Sequence, residues 1–271
     1  MRRALLRVVL TLGLLGGAGG AWATGLLPCE LVVAHPDCQL LVSGGPVLDT
    51  ADLVTVAATT ADDPVRIREP AGRLHATTIE VAEADDLAAW WDAALDPAVE
   101  LVARDRLVPS GQDLADVARA GAAAMTAAQE RAAELALAAT GVGERATVAF
   151  ATDGVGGPSA GLMLAVAAAA RVAEADPTAP GLVVAGTGAL AADGTVLAVG
   201  GVDHKLRAAA SLRPDAFLLP VDDLPLARRT EVPVAVLLVP VTDLVDALDA
   251  VAQLAAGRVP AGAVPLGATS G

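Results

Sequence analysis

Past Gly141 the sequence alternates apolar runs of strand length with longer helical patterns, and that alternation leaves few architectures open. Strand-like runs fall at residues 146–151, 182–187, 195–199, 216–219 and 234–239, with helical stretches at 160–175, 203–211 and 243–254. Strands interleaved with helices bury their apolar faces as layers, which predicts an α/β or α+β fold with helices covering a sheet. Upstream, residues 31–81 read as short strands and turns, 85–94 as a helix and 99–104 as extended. The clearest helix spans 112–139, where Leu114, Val117, Gly121, Met125, Ala128, Ala132, Leu135 and Ala139 step by three and four. Asp113, Asp116, Arg119, Glu130 and Glu134 lie off that stripe, so one face is wet. There is no internal repeat, and the economical division is one domain over 30–256, with a strand-rich part (30–110) and a second part (111–256). Residues 257–271, rich in Gly and Pro, are expected to fray as a flexible tail.

The core of such a fold has to be built from Ala, Val and Leu, because 54% of the residues are hydrophobic, 2% are aromatic and none is Tyr. Base-stacking platforms and aromatic cages are thereby excluded. With 18 basic against 32 acidic side chains the net charge is -14, and the only close basic cluster is Arg2, Arg3 and Arg7. Nucleic acid is therefore disfavoured as a partner. Two cysteines (Cys29, Cys38) and three histidines (His35, His75, His204) build neither a disulfide scaffold nor a four-ligand zinc site at standard spacing. The cysteines can close one small loop, two free thiols being the alternative. His35 and His75 read as surface or satisfied core residues. Of the 18 cationic side chains 17 are Arg and one is Lys205. Arg cannot lose its proton near neutral pH, so the lone lysine either marks a place that wants a neutral amine or is chance in an Arg-rich chain.

At the amino terminus, residues 8–27 carry no charge and follow Arg2, Arg3 and Arg7. That length spans a bilayer as one helix, with the arginines inside. The expectation is a single-pass anchor over 1–28 with an extracytoplasmic body. The alternative is a signal peptide cleaved at Ala21-Trp22-Ala23 and a secreted protein. Without the first 28 residues the balance is 15 basic to 32 acidic, a charge of -17.

The densest glycine cluster, Asp153-Gly154-Val155-Gly156-Gly157-Pro158-Ser159-Ala160-Gly161, stands between a strand and a helix. Ser159 thus falls at a helix amino terminus, where amides are unpaired and negative charge is favoured. Such a serine can bind phosphate, act as an acyl-transfer nucleophile beside an oxyanion-stabilising turn, or simply cap the helix. A nucleophile needs a base, and the histidines stand in no evident relation to this loop. Lys205 follows Gly200-Gly201-Val202-Asp203 at another helix start. To act as a base its pKa must fall from about 10.4 toward 7, which burial among Ala and Val would supply.

Three segments in order, Gly156-Gly157-Pro158-Ser159-Ala160-Gly161, Gly186-Thr187-Gly188 and Gly200-Gly201-Val202-Asp203-His204-Lys205, resemble the proteolytic domain of Lon proteases over residues 146–254. The resemblance implies the α+β Lon proteolytic-domain fold and a Ser-Lys dyad that hydrolyses polypeptides without a cofactor or metal. In it Ser159 is the nucleophile, Lys205 the base and Thr187 a hydroxyl that orients the lysine, while Gly157, Pro158 and Ala160 form the oxyanion turn. It also implies a homo-oligomer, often a ring of six. Two departures stand out: Gly156 and Ala189 occupy positions where Lon carries acids. No Gly-x-x-x-x-Gly-Lys-Ser/Thr occurs, so the expected activity is ATP-independent. The amino-terminal segments, among them Ser43-Gly44-Gly45-Pro46 and Ala89-Trp90-Trp91-Asp92, resemble the membrane-anchored, extracytoplasmic Lon-like proteases of Gram-positive bacteria. Those usually carry a PDZ domain where this chain has only residues 141–145. The glycine loop also resembles the phosphate loop of galactokinase-type enzymes, and a catalytically silent Lon-like binding or scaffold protein is the alternative function.

Overall fold

The computed structural model describes Cys29, residues 35–59 and residues 65–267. The described residues form two compact units, one made of those up to 43 together with 81–113, and the other of those within 44–80 together with 114–267. The strands in chain order are β1 (Gln39–Asp49), β2 (Val54–Ala58), β3 (Arg73–Ala82), β4 (Glu100–Ala103), β5 (Ala146–Phe150), β6 (Val183–Gly186), β7 (Ala189–Leu190), β8 (Val196–Leu197), β9 (Ala216–Pro220), β10 (Val236–Val241) and β11 (Val264–Leu266).

In the first unit the opening of β1 pairs antiparallel with β4, Gln39 opposite Ala103 and Val42 opposite Glu100. A disulfide joins Cys29 to Cys38, with Cα atoms 5.4 Å apart, so the small loop is closed. Helix Leu87–Leu95 starts at Asp86, whose carboxylate accepts the Ala89 N–H, and its Trp90 Nε1 donates to Gln39 Oε1.

The second unit is a mixed sheet with helices on its faces, in the order β11-β10-β9-β6-β3 and then the later half of β1. Strands β3, β6, β9 and β10 run parallel, with Ala185 opposite both His75 and Phe217. Parallel strands are covered on both faces, which is why β6, β9 and β10 are apolar throughout instead of alternating, whereas β3 also carries Arg73, His75, Thr77 and Thr78. On one face Val184, Ala216, Leu218 and Val239 pack with helix Gly161–Val172. On the other, Ala185, Phe217, Leu219 and Leu238 pack with Val202, Leu206 and Ala209 of helix Val202–Ala209. All twelve residues of helix Gly161–Val172 are buried, and five of them are alanine. The long helix Leu114–Ala139 buries Met125, Ala128 and Ala132 of the expected stripe, but in its last turn it buries Ala136 and leaves Ala139 exposed. Two short antiparallel pairs, β2 with β5 and β7 with β8, complete the unit. Residues Val264–Leu266, inside the stretch expected to fray, form the edge strand β11 against β10, and Pro265 is tolerated there because an edge position spares its missing N–H.

The single-pass membrane placement does not stand. Among the described residues no helix is long and apolar enough to cross a membrane. The fully buried helix Gly161–Val172 has 12 residues and reaches only about 18 Å. The longest, Leu114–Ala139, is interrupted by Asp116, Arg119, Glu130, Arg131 and Glu134. The run 8–27 and the Ala21-Trp22-Ala23 site lie outside the described residues.

His75 is neither at the surface nor satisfied. It is buried on β3, and among the described residues neither ring nitrogen has a hydrogen-bond partner. Burial pushes its pKa below the ordinary 6.5, Asp49 opposing and Arg73 adding to the shift. A proton that the unfolded chain takes up near pH 6.5 is therefore refused by the folded one. Stability is expected to fall as pH drops below about 6.5, by at most about 1.4 kcal/mol per pH unit from this group. Urea midpoints of wild type and His75→Leu at pH 7.5 and 5.5 check it: the variant should lose less stability on acidification, and equal losses would exonerate the histidine.

Candidate active site

After β5 the chain makes the glycine loop and enters a 3-10 turn, Pro158–Ala160, that leads into helix Gly161–Val172. Gly157 stands at φ 83°, ψ 155°, a region closed to side-chain-bearing residues. Its N–H donates to the Gly121 carbonyl at 2.8 Å, which lays the loop on the long helix. A Cβ on Gly121 would sit 3.5 Å from Gly157 N, so the small position in the helical stripe is where the loop rests.

The Ser159 carbonyl is held from two sides, by the Gly188 N–H at 2.8 Å and by the Thr187 hydroxyl at 3.1 Å. Gly188 returns its own carbonyl to the Leu162 N–H at 3.0 Å. The glycines flanking Thr187 have a steric cause. A Cβ at 186 would meet Met163 Sδ at 2.7 Å and Leu218 O at 2.8 Å, and one at 188 would meet Val196 Cγ1 at 2.9 Å. The second glycine turn differs within itself. Gly201 lies at φ 65° with Ile79 Cγ2 2.7 Å from where its Cβ would be, whereas Gly200 faces open space.

From that turn starts helix Val202–Ala209, whose Lys205 is 2% exposed and is the largest fully buried side chain among the described residues. Its Nζ donates to Thr187 Oγ1 at 3.2 Å. Because the Thr187 proton is committed to the Ser159 carbonyl, the hydroxyl can only accept from the lysine, and the lone pair of a neutral amine stays unclaimed by threonine. Burial lowers the Lys205 pKa to about 8, with the Asp223 carboxylate opposing. The structure thus brings the Ser159 backbone carbonyl and the Lys205 amine to the one Thr187 hydroxyl, with Gly157, Pro158 and Ala160 in the turn around Ser159. His204, next to the lysine on the helix, sets its Nε2 3.9 Å from Asp203, which also pairs with Arg207 at 3.1 Å.

Sequence reading passed over Asp223. In sequence it looks like one of two aspartates opening the next short helix. In the fold its Oδ2 accepts the Val199 N–H at 2.9 Å. Burial raises its pKa, while the Val199 hydrogen bond and Lys205 pull the other way. Only contacts between residues far apart in the chain reveal it.

The model of the Lon protease (S16) C-terminal proteolytic domain matches residues 98–256, more than half of the 271. The chain belongs to this family. No curated protein matches it. As a Lon-type domain it is a serine protease domain, its substrates are polypeptides, and its mixed sheet with covering helices is the corresponding fold.

Proposed function

We propose that the chain is an ATP-independent serine endopeptidase in which Ser159 and Lys205 form a dyad. The observation that carries this reading is the buried lysine amine bonded to the same threonine hydroxyl that holds the serine backbone. Near pH 8 a substantial share of Lys205 is neutral, as a general base must be. It takes the Ser159 proton, the alkoxide attacks the scissile carbonyl, and an acyl-enzyme forms as protonated Lys205 gives its proton to the leaving amine. Water, deprotonated by the same lysine, completes hydrolysis. Pro158 has no N–H and that of Gly157 is spent on Gly121, so the amides of Ser159 and Ala160 are the loop's donors for the oxyanion. Extended or unfolded segments are the substrates that can enter as strands. No nucleotide-phosphate loop of the Gly-x-x-x-x-Gly-Lys-Ser/Thr form occurs in these residues, which favours hydrolysis without ATP.

Labelling by a fluorophosphonate-type serine probe tests the dyad. Wild type is expected to react at Ser159, with reaction lost in Ser159→Ala and reduced at least a hundredfold in Lys205→Arg, since guanidinium cannot accept the proton. Equal labelling of wild type and Lys205→Arg would remove the lysine from the mechanism.

A further inference from the structure

We propose that Asp223 is a positioning residue for Lys205, fixing the turn that presents the lysine and supplying the counter-charge to its ammonium. The inference rests on reading Lys205 as the general base. Strand β9 ends at Pro220, and Asp223 closes the 3-10 turn that follows. Its carboxylate accepts the Val199 N–H at 2.9 Å, and Val199 leads straight into Gly200-Gly201. Gly201 then accepts the Lys205 N–H at 3.0 Å, so one carboxylate anchors the backbone from which the lysine's helical turn starts.

The same carboxylate answers an electrostatic need. Lys205 is 2% exposed, and the hydrogen-bond partner of its amine, Thr187, is neutral. When the amine takes a proton, the new charge has little water to solvate it and requires an anion. Of the other charged groups nearby, Asp203 is committed to Arg207, and His204 faces that same aspartate. Asp222 is exposed and acts on Asp223, opposing its ionisation. Asp223 is the carboxylate whose charge bears on the lysine. In this arrangement it strengthens the base without touching substrate.

The chain's single lysine makes the test direct, because isotope-labelled lysine gives one side-chain NMR signal whose titration is that of Lys205. Asp223→Asn keeps an acceptor for the Val199 N–H and removes the charge. The lysine's titration point is expected to move down by about one pH unit, and the acid limb of kcat/KM to move with it. Asp222→Asn should shift either by much less. A second variant guards against misfolding of the first: in Lys205→Met the Asp223 carboxyl, having lost its cation, should titrate at higher pH than in wild type. Titration of Lys205 unchanged in Asp223→Asn, or of Asp223 unchanged in Lys205→Met, overturns the proposal even if the protein cleaves peptides. If the lysine shifts as expected but wild type cleaves nothing, the coupling stands and it is the peptidase reading that fails.

Discussion

Lys205→Met is expected to abolish peptide hydrolysis, lowering kcat/KM by about a thousandfold, and at the same time to make the folded protein more stable. The two effects share one cause. At neutral pH the fold holds an amine whose pKa, about 8, lies well under the ordinary 10.5, so keeping it protonated inside costs on the order of 3 kcal/mol. Methionine is unbranched like lysine, one atom shorter, and carries no charge to desolvate. Between about pH 8 and 10.5 the unfolded chain still binds the lysine proton and the folded chain has released it, so wild-type stability rises with pH across that window. The advantage of the variant should therefore be full below pH 8 and vanish above about 10.5. Urea unfolding of both proteins at pH 7 and pH 10.5 measures it. A variant less stable than wild type at pH 7 would mean that the amine is a net contributor to the fold, and the account of a strained base would be lost.

The second large effect concerns the helix that follows Ser159. Leu164→Ala is expected to cost about 3–4 kcal/mol, in the middle of the range for such truncations. Leu164 is completely buried in helix Gly161–Val172, where residues 167–170 are all alanine. Alanines have no rotamers with which to fill a gap, so the space left by the leucine stays open, and the loss includes the cavity as well as the transfer term. Chemical denaturation reads the value directly. A loss under about 1.5 kcal/mol would show that the surrounding elements close up and that this core is more pliant than its packing implies.

Much of this site was legible in the sequence because its signals are local. The spacing of Met125, Ala128 and Ala132 marks the inner face of the long helix, Gly157 before Ser159 takes a positive φ, and the glycines flanking Thr187 stand where a Cβ would clash. The rarity of lysine pointed to Lys205, which is fully buried. What was not legible depends on partners distant in the chain. Nothing near His75 says that both of its nitrogens go unpaired, since that follows from its place between β6 and the later half of β1. Nothing near Asp223 announces Val199, 24 residues earlier. The uncharged run 8–27 suggested a membrane anchor on length and charge alone, whereas the helices the structure describes are either too short or too charged for a bilayer.

The sealed alanine helix also bears on how the site can breathe. Its backbone is shielded on every side, so loosening it means dismantling the whole second unit. Ser159 stands at the head of this immobile pedestal, and any give that admits a peptide has to come from the glycine segment above it, where Gly154 and Gly157 face open space. If Ser159 is the nucleophile, as proposed above, its alcohol is the fixed point about which a substrate must arrange itself.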